Sequence, residues 1–427
     1  MIGIRADANK IIASGHVMRC ITIAKELIAL GESVTFFVAD NEGKSLVDSV
    51  GKELDHFEVV VLGRAYDHME DELPVLKKEL KARDVNALLV DSYFVTKRYF
   101  EAISGICPVA YMDDLGKEPY PVDVLINYSG YYEALGYESL YENMSGHNGL
   151  PTKLLLGLKY APLRRQFYED ELSGGKVVQD INTGDFANAT PDTDSNALRI
   201  LLTAGGADIH GMLLSTLEAA RDKGLLASKD APAKKTVIWE VVVGNLVSDA
   251  ASIDALSEQY SNINIHHSVT NMASLMRSCD LAVAAAGTML TECAAVRLPA
   301  IFYQVADNQK YNVEFWQKTG GMLFAGDVTG DTGTIDGISH IKAEVVSAIC
   351  DNVMALVSDT NKLDSMRTAL SGLTNGTGAI LIAKELVNLP LDQKTICFGK
   401  PYNLEGNHIT WRESNEDTCY DNCQRGQ

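Results

Sequence analysis

Residues 2–40, IGIRADANKIIASGHVMRCITIAKELIALGESVTFFVAD, read as a strand, a turn, a helix and a second strand. Ile2 to Ile4 and Val34 to Ala39 are short apolar runs of the kind buried in a sheet covered on both faces. Between them Val17, Cys20, Ile21, Ala24, Leu27 and Ile28 recur at steps of three and four from Gly15. That spacing makes one apolar helix face, and Gly31 ends the run as a C-terminal cap. A strand, a helix and a strand in this order predict a parallel sheet with helical crossovers.

The same alternation continues along the chain after residue 40. Glu58 to Leu62, Ala87 to Asp91, Val109 to Met112 and Val124 to Ile126 are further strand candidates. From Ser173 to Asn196 the chain becomes rich in Gly, Asp, Asn, Thr and Ser without periodicity, which reads as a linker or insertion. A second alternating block follows, with strands at Ile200 to Thr203, Val237 to Val243, Ile263 to Ile265, Leu281 to Ala284 and Ala300 to Tyr303, and a final helix at Ala379 to Leu389. The expected organisation is therefore α/β: a Rossmann-like domain over 1–172, a linker over 173–196, a second Rossmann-like domain over 197–390 and a tail over 391–427. Two such domains set their C-terminal strand edges face to face, and open α/β sheets bind ligands at those edges.

Composition narrows the function. The 427 residues are 46% hydrophobic and 22% charged, the balance of a globular protein. Lys+Arg number 37 against Asp+Glu 57, a net charge of -20 that repels phosphate backbones and anionic lipid, so neither nucleic acid nor membrane is expected as a partner. No stretch approaches the roughly 20 apolar residues of a bilayer span. Arg5, Asp7 and Lys10 interrupt the region where a secretory signal needs an apolar run, and a cytoplasmic location is expected. Cys20, Cys107, Cys279, Cys293 and Cys350 sit in apolar runs as small buried hydrophobes do. Cys419 and Cys423 lack a second Cys/His pair, and His266 and His267 lack partners at ligand spacing, so no metal is expected.

Four turns carry residues suited to chemistry. In DANKIIASGH, residues 7–16, a strand feeds a small-residue turn that opens a helix, where backbone amides and the helix dipole favour an oxyanion. His16 stands there, either as a general base oriented by Asp7 or as a polar residue satisfying local hydrogen bonds. Gly205 and Gly206 follow a strand and allow close approach of backbone to phosphate, or merely make a tight turn. Gly287 and Thr288 repeat the pattern, and Glu292 lies one turn into the next helix, placed either to accept from ribose hydroxyls or as an ordinary first-turn acid. Asp307, Asn308 and Gln309 open another helix, where amide side chains bind sugar hydroxyls or position water, and Asp91-Ser92-Tyr93 ends a strand of the first domain.

Taken together, RADANKIIASGHVMRCITIAKEL (5–27), VDSYF (90–94), MDDL (112–115), LLLGLKYAPLRRQF (154–167), LLTAGGAD (201–208) and NMASLMRSCDLAVAAAGTMLTECAAVRLPAIFYQVADNQ (271–309) resemble the UDP-2,4-diacetamido-2,4,6-trideoxy-altropyranose hydrolases of pseudaminic acid biosynthesis. The resemblance covers most of residues 1–390. It implies a GT-B-like fold and metal-free cleavage of the sugar–phosphate linkage of a UDP-sugar, with no cofactor and with a monomer as the expected state. It also implies His16 as the residue that activates water for attack at the anomeric carbon, Tyr93 and Asn308 as cleft residues holding sugar or water, and Gly205, Gly206, Gly287, Thr288 and Glu292 on the UDP side. Asp7, Gly15, Arg19 and Gln309 complete the expected substrate-binding set.

Ala13 and Arg297 stand where the family has glycine, the linker is longer than usual, and the tail beyond 390 falls outside the resemblance. His408 to Glu413, followed by Asp417, reads like the first strand and loop of an N-acetyltransferase domain, too short to bind that domain's cofactor. Two other functions fit the same fold: a GT-B glycosyltransferase and a nucleotide-sugar-binding protein without chemistry. The first domain has no apolar run with basic neighbours for a lipid-linked acceptor. The presence of His16, Tyr93 and Asn308 speaks against a non-catalytic role.

Overall fold

The computed structural model describes residues 1–9, 15–52, 54–147, 149–168, 197–230, 236–330, 334–335 and 338–389. The 173–196 linker, Ala13, Cys419, Cys423 and the 391–427 tail lie outside the described residues. Residues 1–391 form one unit.

The first sheet is built from β1 (Ile2–Ala6), β2 (Val34–Val38), β3 (Phe57–Val61), β4 (Ala87–Asp91), β5 (Val109–Met112), β6 (Val124–Asn127) and β7 (Lys153–Leu156). Its order is β3-β2-β1-β4-β5-β6-β7, all parallel. The order reverses between β1 and β4, which pair from Ile2 with Ala87 to Ala6 with Asp91. A crevice opens at the C-terminal ends of such a pair, because the crossovers on either side depart to opposite faces. Helices α1 (Gly15–Ala29), α2 (Asn41–Gly51), α3 (Leu73–Ala82), α4 (Lys97–Ser104) and α5 (Tyr137–Leu140) make its connections.

The second sheet repeats the plan with β8 (Leu198–Thr203), β9 (Val237–Val243), β10 (Ile263–His267), β11 (Leu281–Ala285), β12 (Ala300–Gln304) and β13 (Met322–Asp327), in the order β10-β9-β8-β11-β12-β13. Its reversal falls between β8 and β11, where the two glycine turns lie. Helices α6 (Met212–Asp222), α7 (Ala250–Gln259), α8 (Met272–Arg277), α9 (Met289–Ala295), α10 (Lys310–Thr319), α11 (His340–Ser358) and α12 (Thr360–Leu370) belong to this half. The sequence reading omitted β7 and β13, one at the edge of each sheet.

The last helix, α13 (Gly378–Val387), closes the span expected for the second domain but packs elsewhere. Ala379, Ile382, Ala383 and Leu386 join Val17, Cys20, Ile21 and Ala24 of α1 in the core beneath the first sheet. Conversely Leu158, Ala161, Leu163 and Phe167 pack with Met272, Met276 and Trp316 in the second half. Glu26 of α1 fastens this exchange, accepting hydrogen bonds from Arg165 at 2.9 and 3.2 Å and from the Tyr168 hydroxyl at 2.6 Å. All five described cysteines are buried and unbridged.

Candidate active site

The reversal point of the first sheet assembles a hydrogen-bonded polar cluster beside the cleft. Gly15 opens α1, which places His16 in its first turn and Arg19 one turn further along. His16 is 7% exposed, and its Nδ1 lies 2.6 Å from Oδ1 of Asp91, the last residue of β4. Asp91 is buried, and Arg19 grips both its oxygens, Nε to Oδ2 and Nη2 to Oδ1, each at 2.5 Å. Burial by itself would raise the Asp91 pKa, but the Arg19 charge and the hydrogen bonds from Arg19 and His16 hold the group well below the usual carboxylate range. An ionised Asp91 only accepts, so His16 Nδ1 carries the hydrogen and the lone pair is left on Nε2. Cys20 also reaches Asp91, Sγ to Oδ2 at 3.5 Å, and burial together with that carboxylate drives its thiol well above the ordinary range, so it is no nucleophile.

Arg19 ties this pair to the neighbouring strand ends. Its Nη1 donates to the Tyr128 hydroxyl at 2.7 Å, just past β6, and lies 3.5 Å from Oδ2 of Asp114, just past β5. Tyr93 donates to the same Asp114 oxygen at 3.1 Å and sets its ring edge-on to His16, 4.6 Å between centroids. Burial, then Asp114, raises the Tyr93 phenol, which stays protonated. Asp91, Asp114 and Tyr128 had no assigned role in the sequence reading. The signal for Asp91 was present, since a carboxylate ends an otherwise apolar strand beside the strand that leads to His16.

Asp7 does not orient His16. Its Oδ1 accepts the Ala39 amide at 2.7 Å and its Oδ2 pairs with Arg5 at 2.5 Å. Arg5 has no exposed surface and donates twice to Glu72, each time at 2.7 Å, while Tyr99 donates to Glu72 at 2.8 Å. A buried guanidinium demands such partners, so Asp7 is committed to the core beneath the site. It still borders the recess that holds His16, Asp91, Ser92, Tyr93 and Phe94.

The main cavity, about 270 Å³, lies between the two sheets' C-terminal ends. Arg19, Tyr93, Asp114 and residues Tyr128 to Tyr131 line it from the first half, and Ala286, Gly287, Thr288, Thr291, Asn308, Gln309 and Asn312 from the second. Asn312 holds α10 to the β11 turn through the Ala286 carbonyl at 2.8 Å, and Gln309 Oε1 accepts the Val305 amide at 2.9 Å. Asn308 is exposed there. Tyr131 and Tyr311 stack across the two halves with centroids 5.8 Å apart.

The glycine turns depart from expectation in detail. The Gly287 amide donates to the Ala285 carbonyl at 2.7 Å and is not presented to the cavity. Gly205, at φ +77°, and Gly206 are exposed, but the first amides of α6 are already taken, since Asp208 accepts Met212 at 2.8 Å and Leu213 at 2.9 Å. These two glycines border a separate recess floored by Tyr303 or lie beside it, rather than the main cavity. Glu292 meets Arg164 at 3.1 Å, and burial raises its carboxyl despite that guanidinium. His266 is bonded to buried Glu240 at 2.6 Å, and His267 lies 3.3 Å from Asp254, which gives both histidines structural partners. Arg297 takes φ 57°, the left-handed conformation that a glycine at that position would adopt freely.

Two parallel sheets facing one another across such a cleft define the GT-B fold, and comparison with solved structures bears this out. MurG of Acinetobacter baumannii superposes with a TM-score of 0.58 at 13% identity, covering 90% of this chain and 99% of that one. UDP-GlcNAc 2-epimerase of Neisseria meningitidis, solved with UDP-GlcNAc bound, gives 0.56 at 14% identity over 91% and 100%. The spinosyn rhamnosyltransferase SpnG gives 0.53 at 14% identity over 91% and 100%. No family profile matches the chain, and no curated protein matches it in sequence.

Proposed function

We propose that the protein hydrolyses a UDP-sugar, with His16 as the base that activates water. The observation that carries this reading is the imidazole held through Nδ1 by an ionised, buried carboxylate at the sheet's reversal point, beside a cavity lined by both halves. Nε2 takes the proton of a water whose oxygen attacks the anomeric carbon. The bond from that carbon to the diphosphate oxygen breaks, and UDP leaves with the electron pair. The products are UDP and free sugar, with inversion at the reacting carbon, and the proton on His16 returns to solvent. UDP is a good leaving group, so the site needs a placed base more than a general acid.

Tyr93 and Asn308 fit as groups holding sugar and water, and Gly287 and Thr288 as the nucleotide side of the cavity, with Glu292 one turn further along, outside the cavity lining and paired with Arg164. The resemblance stated above makes a UDP-linked 2,4-diacetamido-2,4,6-trideoxy sugar of pseudaminic acid biosynthesis the first substrate to try. A glycosyltransferase shares the fold, and dependence on an acceptor separates the two. The test is incubation with that UDP-sugar, without acceptor and with chelator, following UDP and free sugar. Release of both supports hydrolysis, and no release removes it. His16→Ala should lose turnover by a factor of at least about 10² while UDP binding by calorimetry persists. In oxygen-18 water the label should enter the sugar, whereas label in UDP would mean attack at phosphorus.

A further inference from the structure

A carboxylate beside an imidazole ordinarily raises its proton affinity, since an opposite charge within about 4–6 Å shifts a pKa by roughly 1–3 units. Asp91 alone would therefore favour the imidazolium, which has no lone pair to offer. The site does not leave Asp91 alone. Both its oxygens accept from the Arg19 fork at 2.5 Å, so one guanidinium charge stands against one carboxylate charge. Arg19 also opposes protonation directly, because its Nη2 lies 3.1 Å from His16 Nδ1.

The other carboxylates nearby oppose this effect but stand further from the ring. Asp7 borders the recess, and its Oδ2 pairs with Arg5, which also serves Glu72. Asp114 accepts from the Tyr93 hydroxyl at 3.1 Å and lies 3.5 Å from Arg19 Nη1, so it draws more weakly than Asp91 on the same guanidinium. Cys20 is held as a thiol against Asp91.

We propose that Arg19 is a positioning residue that holds down the proton affinity of His16, by offsetting the very carboxylate that fixes the imidazole's tautomer. The sequence reading gave Arg19 to the substrate. In the structure its Nε, Nη1 and Nη2 are each bonded to Asp91 or Tyr128, so its work is directed inward. The arrangement gives an oriented imidazole without the rise in basicity that a lone aspartate would impose. That suits a base which must be deprotonated at rest, and suits poorly an acid that must arrive protonated.

The inference rests on reading His16 as the base, but its test needs no turnover. In the full-length chain with nitrogen-15 histidine, the His16 ring signals are assigned by their loss in His16→Gln and titrated by NMR. Arg19→Met should raise the His16 pKa by at least about one unit. Arg19→Lys, which keeps a charge but not the fork, should give a smaller rise. Asp91→Asn should lower the pKa, and the Arg19→Met, Asp91→Asn pair should return it toward the ordinary histidine value of about 6.5. An unchanged or lowered pKa in Arg19→Met overturns the proposal, and if that variant does not fold, an unchanged or lowered value in Arg19→Lys does so.

If UDP-sugar hydrolysis is observed, the acid limb of kcat/KM should move upward in Arg19→Lys with the NMR value. Turnover with no such shift overturns this inference and leaves the hydrolase reading standing. The NMR shift without turnover in the wild type does the reverse.

Discussion

An imidazole can accept a proton only at the nitrogen its own hydrogen bond leaves free. Asp91 decides which nitrogen that is, and Asp91→Asn should be more damaging than the loss of one hydrogen bond suggests. An asparagine amide can donate to Nδ1, which moves the ring hydrogen to Nε2 and leaves no base facing the reaction. The expected loss in kcat is of order 10²–10⁴, with KM changed far less. Equal activity in the variant would show that Asp91 does not set the tautomer. The same residue bears on acid stability. Burial opposes its ionisation, yet Arg19 and His16 hold its folded pKa below the unfolded carboxylate value of about 3.9, so its contribution is complete above that value and fades as pH falls through the folded one. In a His16→Gln background, which removes the imidazole's own titration, the loss of urea midpoint on adding Asp91→Asn should thus be level from pH 8 to about 5 and shrink below about 4. His16 stood out in the sequence because a small-residue turn precedes it. Its partner did not, since Asp7 directly follows β1 and Asp91 ends β4, and only the β1–β4 register and the buried Arg5 tell them apart.

At the level of elements, the site exists because each sheet reverses its order once, and the residues at those strand ends converge. The strands beside each reversal were legible as continuous apolar runs, being buried on both faces. The edge strands β7 and β13 were not, because their short apolar runs, residues 154–156 and 322–325, lack β-branched residues, whereas the equally part-buried edges β3 and β10 carry Val and Ile. Turn chemistry was half legible. The glycines were found, but Asp208 and the Ala285 carbonyl, which occupy nearby amides, compete on grounds that spacing cannot reveal. Gly244, just past β9, shows how tightly the 205–206 turn is seated, since a Cβ there would lie 2.4 Å from the Gly206 carbonyl oxygen and 2.8 Å from that of Gly205. Both obstacles are backbone and cannot rotate away. Gly244→Ala should therefore displace that turn and cost about 1–3 kcal/mol in chemical denaturation, and a neutral effect would show that the turn shifts freely.

Across the whole molecule the chain passes twice between its halves, and this should make them unfold together. Residues 158–167 contribute apolar side chains to the second core, whereas α13 returns to cover α1 in the first. Tyr168 and Arg165 bind Glu26 at the crossing, and Lys153 meets Glu385 at 2.7 Å on the surface. The exposed Lys153 pair contributes little by comparison with the buried contacts. Ile382, with no exposed surface, is the clearest probe of the return, because it lies in the first core yet follows the second half in sequence. Ile382→Ala should cost about 2–5 kcal/mol. Trp239 and Trp316 report on the other core, both being buried in the second half. With Trp411 replaced by Phe in every sample, tryptophan fluorescence follows the second half alone while far-UV circular dichroism follows both. If α13 couples the halves, Ile382→Ala should lower the fluorescence and dichroism midpoints together. A fluorescence midpoint that stays at the wild-type value while part of the dichroism melts earlier would mean two independently folding domains, with α13 an ornament on the first.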